Sequence, residues 1–379
     1  MTIDGRTPIE KYYDSIGGEK SYMGEADSEE ICGLKNGGCY QSFNVGNIYW
    51  TEETGAWDVS GRIGDRWNML GKEESYLGYP INTEGKNLVN GGAYQKFENG
   101  RIYWTKSLGA WDISGRIFEK WYEEGTEWGE LGYPTSATQK DKNGVTYQQF
   151  ENGRIYQEGE ETWIVPKWAE ERYEEIGSIN SVLRTPIENG KCGILQDGCY
   201  QTFEVGRIYW SKNSGAWDIS GKIYAKWYAL GTEWSNLGYP TSSEQKDSNG
   251  IVYQEFENGR IYYRQGNTWV IPKWAEKRYE EIGSIDSVLK TPISNGTCGL
   301  INNGCYQNLE VGRMYYSPNS GTWDISGKIY STWYNLGTEW SDLGYPTSGE
   351  LVNSEGLVYQ QFEHGKIYYQ TGNTWVVYE

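Results

Sequence analysis

Carboxylates stand directly beside tryptophans in two recurring segments of this sequence. In Gly-Ala-Trp-Asp or Gly-Thr-Trp-Asp, an aspartate follows the tryptophan, and in Gly-Thr-Glu-Trp a glutamate precedes it. The pairs are Trp57 and Asp58, Trp111 and Asp112, Trp217 and Asp218, Trp323 and Asp324, and then Glu127 and Trp128, Glu233 and Trp234, Glu339 and Trp340. An indole can stack on the C–H face of a sugar while a carboxylate accepts bonds from its hydroxyls. These residues are therefore predicted to bind glycans.

The glycines around both segments predict loops, where exposed aromatic side chains often bind ligands. The alternative is that each tryptophan packs between consecutive units of the chain. The two hypotheses differ in whether the indoles are exposed and face the same side.

Catalysis is not expected. His364 is the only histidine, and it stands in a Glu-His-Gly string where other units have Glu-Asn-Gly, so we predict a surface residue in a hairpin turn. A hydrolase needs a nucleophile with a base, or a pair of carboxylates at one place. No acidic residue stands apart from the repeating pattern, so an enzyme would need one unit to hold an acid pair that the others lack.

Cysteines occur as three pairs, each at the same offsets before a Tyr-Gln dipeptide: Cys32 and Cys39, Cys192 and Cys199, Cys298 and Cys305. Units that lack one cysteine also lack the other, which predicts a local disulfide worth roughly 2.5 kcal/mol. Such bonds favour an oxidising, extracellular setting. A metal site is the alternative, but two thiolates without clustered histidines suit zinc poorly. The Asp-x-Asn-Gly strings at 141 and 247 predict hairpin turns rather than calcium loops, so no metal or cofactor is expected.

The composition of the chain limits the classes of partner that it is expected to bind. The net charge of −18 disfavours binding to nucleic acid. No apolar run is long enough to insert into a membrane, and the first residues lack the pattern of a signal peptide. The expectation is an extracellular or wall-associated chain whose signal was removed, with a cytoplasmic protein as the alternative. Nineteen tryptophans and 33 tyrosines against seven phenylalanines suggest that part of the aromatic surface faces solvent.

The elements that position these residues repeat along the chain. Tyr-Gln recurs at Tyr40, Tyr94, Tyr147, Tyr200, Tyr253, Tyr306 and Tyr359, at intervals of 54 and then 53 residues. A fixed period of this size indicates repeated supersecondary units that bury their apolar faces against each other. We predict a single repeat domain over 1–379, with units at approximately 1–59, 60–113, 114–165, 166–219, 220–271, 272–325 and 326–379.

Each unit is predicted to hold a helix and a β-hairpin. Ser60 can cap a helix whose apolar positions are Ile63, Trp67 and Leu70, and Trp67, Trp121, Trp227 and Trp333 are expected to be core residues on that stripe. Tyr253 to Tyr263 predicts a hairpin around Asn258 and Gly259. The helix strings alternate between two forms that recur 106 residues apart, as in PKWAEERYEEIG at 166 and PKWAEKRYEEIG at 272. Pro166 and Pro272 fit the first turn of a helix.

A further string, Leu-Gly-Tyr-Pro, occurs at Leu77, Leu131, Leu237 and Leu343, and Thr-Ser follows it in the last three. Together with the helix tryptophan, the YQxFxxGxIYW strings and the closing Gly-Ala element, it makes the whole chain resemble the LGFP repeat family. The resemblance implies small α+β units around a pseudo-symmetric ring, in proteins of actinobacterial cell walls. It also implies an appendage of mycolyltransferases that holds them to wall polysaccharide.

The chain departs from the family pattern at two places. Units one, four and six have MGEA, LRTP and LKTP in place of LGYP, and these units carry the cysteines. Where the family commonly ends in Thr-Gly-Ala-His, this chain has the tryptophan of the Gly-Ala-Trp-Asp segment. A ligand contact made through that histidine is therefore absent here or replaced by an indole face.

We thus predict an α+β repeat protein of seven helix-plus-hairpin units of about 53 residues. A propeller-like closed ring is favoured over an open solenoid because neither end shows a polar capping unit, although the irregular first unit argues the other way. The predicted function is non-catalytic binding of neutral cell-surface or cell-wall glycans, as a lectin with repeated shallow sites made useful by multivalency. The alternative is a cell-surface scaffold that binds proteins and no sugar.

Overall fold

The computed structural model of the protein describes residues 5–247 and 250–379. The first four residues of the first predicted unit lie outside the described residues, as do Ser248 and Asn249 of the second Asp-x-Asn-Gly string. Within the described residues, the chain alternates short helices with small antiparallel sheets, which confirms the α+β repeat.

Seven short α-helices recur at the predicted period. They are α1 Pro8–Ser15, α2 Gly61–Leu70, α3 Gly115–Glu123, α4 Lys167–Ile176, α5 Gly221–Leu230, α6 Lys273–Glu281 and α7 Gly327–Leu336. Ser60 occupies the position before α2 in an extended conformation, but its side chain makes no capping hydrogen bond. The helix therefore begins directly after Ser60, as predicted, but without a side-chain cap. Pro166 and Pro272 precede α4 and α6 as extended residues rather than lying within the first turn.

Each helix leads into a small antiparallel sheet. The strands of the first three sheets are β1 Ile31–Cys32, β2 Cys39–Phe43, β3 Gly46–Thr51, β4 Gly55–Ser60; β5 Ala93–Phe97, β6 Gly100–Thr105, β7 Gly109–Ile113; β8 Gln139–Lys140, β9 Thr146–Phe150, β10 Gly153–Glu158, β11 Glu161–Pro166. The remaining strands are β12 Lys191–Cys192, β13 Cys199–Phe203, β14 Gly206–Ser211, β15 Gly215–Ile219; β16 Gln245–Lys246, β17 Val252–Phe256, β18 Gly259–Arg264, β19 Asn267–Pro272; β20 Thr297–Cys298, β21 Cys305–Leu309, β22 Gly312–Ser317, β23 Gly321–Ile325; β24 Leu351–Val352, β25 Val358–Phe362, β26 Gly365–Gln370, β27 Asn373–Tyr378.

The predicted hairpin is present, but it is two strands of a larger sheet. In the fifth repeat Tyr253 pairs with Tyr262, as the sequence indicated, and Tyr262 pairs in turn with Trp269 on a third strand. The Gly-Ala-Trp-Asp segments form this third strand in other repeats, as Tyr103 paired with Trp111 illustrates. The prediction that these segments are loops is therefore wrong.

The helix tryptophans lie in the core, as predicted. Trp67, Trp121, Trp227 and Trp333 are fully buried. Each indole donates a hydrogen bond to the glycine carbonyl of the following Leu-Gly-Tyr-Pro string, as Trp227 Nε1 does to Gly238 O at 3.1 Å. The tyrosine of that string reaches back to the preceding repeat, where Tyr345 Oη donates to Ile301 O at 2.7 Å. The Leu-Gly-Tyr-Pro string thus joins its own helix to the sheet before it.

Repeats without Leu-Gly-Tyr-Pro use a different core residue. Tyr13, Tyr173 and Tyr279 occupy the helix position of the tryptophan, and their hydroxyls donate to Gly24 O, Arg184 O and Lys290 O at 2.6, 2.9 and 3.2 Å. Tyrosine thus makes the same hydrogen bond to the string that tryptophan makes in the other repeats.

The glutamine of Tyr-Gln connects consecutive repeats. Gln254 is fully buried, and its Nε2 donates to Asp218 O at 2.7 Å and to Ser242 O at 2.8 Å. Asp218 belongs to the last strand of the preceding sheet, while Ser242 lies in the loop of the glutamine's own repeat. Gln95, Gln148, Gln201, Gln307 and Gln360 make the corresponding bonds. A buried donor that satisfies two carbonyls in this way explains why the dipeptide recurs.

The three predicted disulfides are present, and they join Cys32 to Cys39, Cys192 to Cys199 and Cys298 to Cys305. Each bond closes the loop that accepts the tyrosine of the next Leu-Gly-Tyr-Pro string; in the first repeat, Tyr79 Oη donates to Lys35 O at 2.7 Å. The disulfide therefore orders an acceptor for the following repeat.

The repeats are distributed over two compact units, Met1–Gly190 with Gln201–Glu204, and Lys191–Tyr200 with Val205–Glu379. Closure of the seven repeats into a ring stays a prediction.

Candidate functional site

The four tryptophans of the Trp-Asp strands are half-buried, and their indole N–H groups are used within the protein. Trp57 Nε1 donates to Thr54 O at 2.7 Å, and Trp323 Nε1 donates to Ser320 O at 2.6 Å. Trp111 and Trp217 make the same bond to Leu108 and Ser214.

The aspartates of these strands are bound by the protein. Asp112 is 3% exposed, and its Oδ1 accepts from Arg66 Nε at 2.7 Å while its Oδ2 accepts from Tyr76. Asp324 accepts from Arg278 Nε at 2.7 Å. The same guanidinium groups lie over the indoles, with Arg66 5.1 Å from the ring centre of Trp111 and Arg278 5.0 Å from that of Trp323.

The first repeat uses a phenol in place of the arginine. Tyr12 Oη donates to Asp58 Oδ1 at 2.6 Å, and its ring contacts Trp57 edge-on at 5.9 Å. Burial, and then the hydrogen bond to Asp58, raises the pKa of Tyr12 far above its ordinary value, so the phenol remains a donor. Asp218 is buried and accepts from Ser243 Oγ at 3.0 Å. At these four positions the carboxylates serve packing contacts, and a ligand would have to displace a protein donor.

The Glu-Trp segments have the opposite arrangement. Each forms a single 3-10 turn that begins after a left-handed glycine, such as Gly231 at φ 105° before Thr232–Trp234. Trp128, Trp234 and Trp340 are 75%, 69% and 71% exposed, whereas Glu127, Glu233 and Glu339 are buried. The predicted exposure of these tryptophans is confirmed, but the adjacent carboxylate does not share the surface with the indole.

A groove of about 890 Å³ opens beside Trp234. Trp274, in the first turn of α6 in the next repeat, also lines it, as do Pro272 and Val270 of β19. Trp274 is held by stacking on Tyr316, with ring centres 6.0 Å apart. The groove therefore presents two indoles from consecutive repeats to one space.

Asparagine side chains line the groove together with the two indoles. Asn236, Asn258 and Asn295 line the groove, are exposed, and make no side-chain hydrogen bond within the described part of the chain. Lys273 also lines it and pairs with Glu276 at 3.2 Å. Amides both donate and accept hydrogen bonds. The arrangement can therefore bind a flat, polyhydroxylated ligand between aromatic faces.

The same residues recur 106 positions earlier in the chain. Trp128, Pro166, Trp168, Asn152 and Asn189 correspond to Trp234, Pro272, Trp274, Asn258 and Asn295. In both copies a glycine approaches the proline and the second tryptophan. A Cβ at Gly190 would lie 2.6 Å from Pro166 Cγ and 3.1 Å from Trp168 Cζ2, and at Gly296 the corresponding distances are 2.6 and 3.3 Å. We call the cavity beside Trp234 the second groove, and we call the corresponding set of residues in the earlier copy the first groove.

Trp340 has the exposure of the other two tryptophans but not their partner. Among the described residues, no tryptophan occupies the position beside Trp340 that Trp274 occupies beside Trp234. Trp234 lines a cavity with a second tryptophan, and Trp128 has the corresponding residue, Trp168, in the next repeat.

Sequence reasoning missed Trp168 and Trp274. The signal was present, since Pro-Lys-Trp occurs only after units three and five, which are Glu-Trp units. Periodicity within one unit does not reveal their role, because Trp234 and Trp274 line one cavity from positions 40 residues apart in different repeats.

Two acid pairs occur near the Trp-Asp strands. Burial, and then the charge of Asp324, raises the pKa of Glu350, and burial with the charge of Asp218 raises that of Glu244. The arrangement is duplicated rather than unique, and Asp324 is already paired with Arg278. His364 is exposed between β25 and β26, as predicted. Glu30 approaches the sulfurs of Cys32 and Cys39, but these are bonded to each other.

Comparison with solved structures gives only weak likenesses. The extracellular domain of a hybrid two-component system from B. thetaiotaomicron matches 93% of this chain at 12% identity and a TM-score of 0.15, and a one-component-system domain from the same organism matches 94% at 9% and 0.14. Virginiamycin B lyase from Staphylococcus aureus matches 77% of this chain and 86% of its own length at 7% identity and 0.13. The chain spans 40% and 55% of the two B. thetaiotaomicron domains.

No curated protein sequence matches the chain. In the described residues, none of the helices has the length and apolar character needed to cross a membrane. The model of the LGFP repeat family, in contrast, matches seven times, at residues 24–75, 77–129, 131–178, 185–235, 237–284, 289–341 and 343–379. These matches cover nearly the whole sequence and agree with the recurring helix, Leu-Gly-Tyr-Pro string and sheet, so the chain belongs to the LGFP repeat family.

Proposed function

We propose that this protein is a non-catalytic carbohydrate-binding protein that holds glycan chains in its two-tryptophan grooves. The observation that carries the proposal is the second groove, in which Trp234 and Trp274 line one space with three unpaired asparagine amides. Aromatic faces with a few polar groups suit the alternating C–H and hydroxyl surfaces of a sugar. The glycan bound in the second groove is neutral, because the residues that line this groove include no acidic side chain and their one lysine is paired with Glu276.

The two grooves act together. Open grooves of this kind give weak single sites, and two grooves on one chain raise the apparent affinity for a polymer when both are occupied at once. This assigns binding to two places in the chain rather than to each of the seven tryptophan–carboxylate pairs. Trp57, Trp111, Trp217 and Trp323 then serve packing.

The setting proposed for this activity is the cell surface or cell wall. Three disulfides support an oxidising compartment. A glycan-binding repeat domain in that setting would hold the protein, or a partner, on surface polysaccharide.

The test is a glycan-array screen of the intact protein, followed by titration of the best ligand into variants. Trp234→Ala and Trp274→Ala should each weaken binding to the second groove by about tenfold or more, since a buried aromatic contact is worth roughly 1–3 kcal/mol. Trp340→Ala is the matched control, because that indole is equally exposed but faces no second tryptophan.

An equal loss in Trp340→Ala would show that isolated Glu-Trp turns bind, and the two-tryptophan groove would be rejected. An array with no specific ligand among neutral polysaccharides and N-glycans would favour the alternative, a surface scaffold that binds protein.

A further inference from the structure

The two grooves share their tryptophans but differ in charge. At two positions the first groove has Glu124 and Glu130 where the second has Leu230 and Asn236, both of which line the cavity. The remaining groove residues are the same in type, apart from Ile164 in place of Val270 and Gly129 in place of Ser235. The difference is therefore confined to carboxylates placed on either side of Trp128.

In the first groove the amides are already engaged. Asn152 Nδ2 donates to Glu130 O at 3.0 Å, and Asn189 Nδ2 donates to Glu124 Oε2 at 3.1 Å. In the second groove, the corresponding Asn258 and Asn295 make no such bonds among the described residues. The first groove thus offers acceptors where the second offers free amides.

Of the two carboxylates in the first groove, Glu124 has a basic partner, whereas Glu130 has none within the described residues. Glu124 Oε1 binds Lys120 Nζ at 2.6 Å, and Lys167 Nζ donates to the Glu151 carbonyl at 3.2 Å. Glu130 is exposed and has no ion pair within the described residues. It lies two residues from the exposed indole of Trp128. An ammonium group is attracted by an indole face and by a carboxylate at the same time.

We propose that the first groove selects glycans that carry free amino groups, whereas the second groove binds uncharged sugars. The proposal rests on the proposed function, since it assigns different sugar classes to the two glycan grooves. Glu130 supplies the charge that recognises the amine, and Glu124 keeps a neighbouring anionic substituent out. The chain then recognises a surface on which neutral and amino sugars occur together.

The experiment compares two hexamers with one backbone, β-1,4-linked glucosamine and its fully N-acetylated form, by calorimetry. Trp234→Ala/Trp274→Ala retains only the first groove, and Trp128→Ala/Trp168→Ala retains only the second. These variants have the same net charge, so general attraction of a cationic sugar to an acidic protein cancels between them. The first-groove protein should bind the amine form about tenfold more tightly, and the second-groove protein should show less than about a twofold preference.

A second comparison exchanges the charged residues between the two grooves. Glu124→Gln/Glu130→Gln in the first-groove protein should abolish the preference, and Leu230→Glu/Asn236→Glu in the second-groove protein should create it. Thermal melting checks that each variant is folded. A first-groove protein that binds both hexamers equally, or prefers the acetylated one, overturns the proposal. Binding to other array glycans but to neither hexamer overturns this inference alone, while absence of binding to any glycan overturns the proposed function as well.

Discussion

The Trp-Asp strands and the Glu-Trp turns contain the same two residue types side by side, yet they use them in opposite ways. In the strand that holds Trp323, an arginine covers the indole and neutralises the neighbouring aspartate. In the turn that holds Trp340, the glutamate is buried and the indole is 71% exposed. One segment uses its aromatic residue to join a helix to a sheet, and the other presents it to solvent.

The backbone explains the difference. In the strand, one side chain of the preceding helix contacts both the indole and the carboxylate, as Arg278 does with Trp323 and Asp324, so both residues are used in packing. In a 3-10 turn that follows a left-handed glycine, consecutive side chains point in different directions. The glutamate therefore points into the core, and the tryptophan points into solvent. The same composition therefore indicates a binding site only after the secondary structure is known.

Asp112→Ala should have the largest effect on stability. The carboxylate is almost fully buried and accepts from Arg66 and Tyr76, so its loss leaves a guanidinium without a partner. We expect the free energy of unfolding to fall by roughly 3–5 kcal/mol, as for removal of one member of a buried ion pair. Urea denaturation measures the change.

Asp65→Ala provides the control for that variant, because Asp65 forms an exposed pair with Arg62 and should change stability by less than about 0.5 kcal/mol. Equal, small losses in both variants would mean that Asp112 is not needed for packing. The strand would then have to be reconsidered as a ligand site.

The disulfide beside the second groove should have an intermediate effect. Cys298 lines the groove, and β20 is a two-residue strand that follows the groove residues Asn295 and Gly296. Cys298→Ser/Cys305→Ser should lower stability by roughly 2.5 kcal/mol through the loss of loop closure. It should also weaken glycan binding, because this wall of the groove is held by a covalent bond rather than by an ion pair.

Cys32→Ser/Cys39→Ser is the matched variant. Its loop has the same length but contributes no residue to the second groove, so stability should fall similarly while binding is retained. Denaturation and glycan titration of both variants separate the two effects. Equal weakening of binding would indicate that the disulfides act only through general stability.

Features that depend on neighbouring residues could be predicted from the sequence. The apolar spacing around Trp67 identified a core residue, the joint occurrence of Cys32 and Cys39 identified a disulfide, and the glycine after each helix indicated an exposed turn at Trp234. Each of these follows from local geometry that one repeat contains, and each recurs in three or four repeats.

Features that join two repeats were not accessible in the same way. To predict that Trp234 and Trp274 line one cavity, the position of α6 relative to the preceding sheet must be known, and no spacing within one unit specifies that position. Within one unit, Arg278 binds Asp324 from 46 residues away, so the pairing of the Trp-Asp carboxylate could not be assigned from neighbouring residues either. The repeat period predicts the number of units, whereas the contacts between units determine which aromatic side chains stay exposed.

The smallest expected effects distinguish the two kinds of tryptophan directly. Trp323→Ala removes a half-buried indole that lies under Arg278 and should cost roughly 1–3 kcal/mol, whereas Trp340→Ala removes an exposed one and should cost less than about 0.5 kcal/mol. Thermal melting of the two variants under identical conditions gives the comparison. If Trp340→Ala were as destabilising as Trp323→Ala, the exposed indoles would be part of the packing between repeats. The exposure of these indoles would then no longer support a binding role for the Glu-Trp turns, because a contribution to stability would be enough to explain why the tryptophans are present.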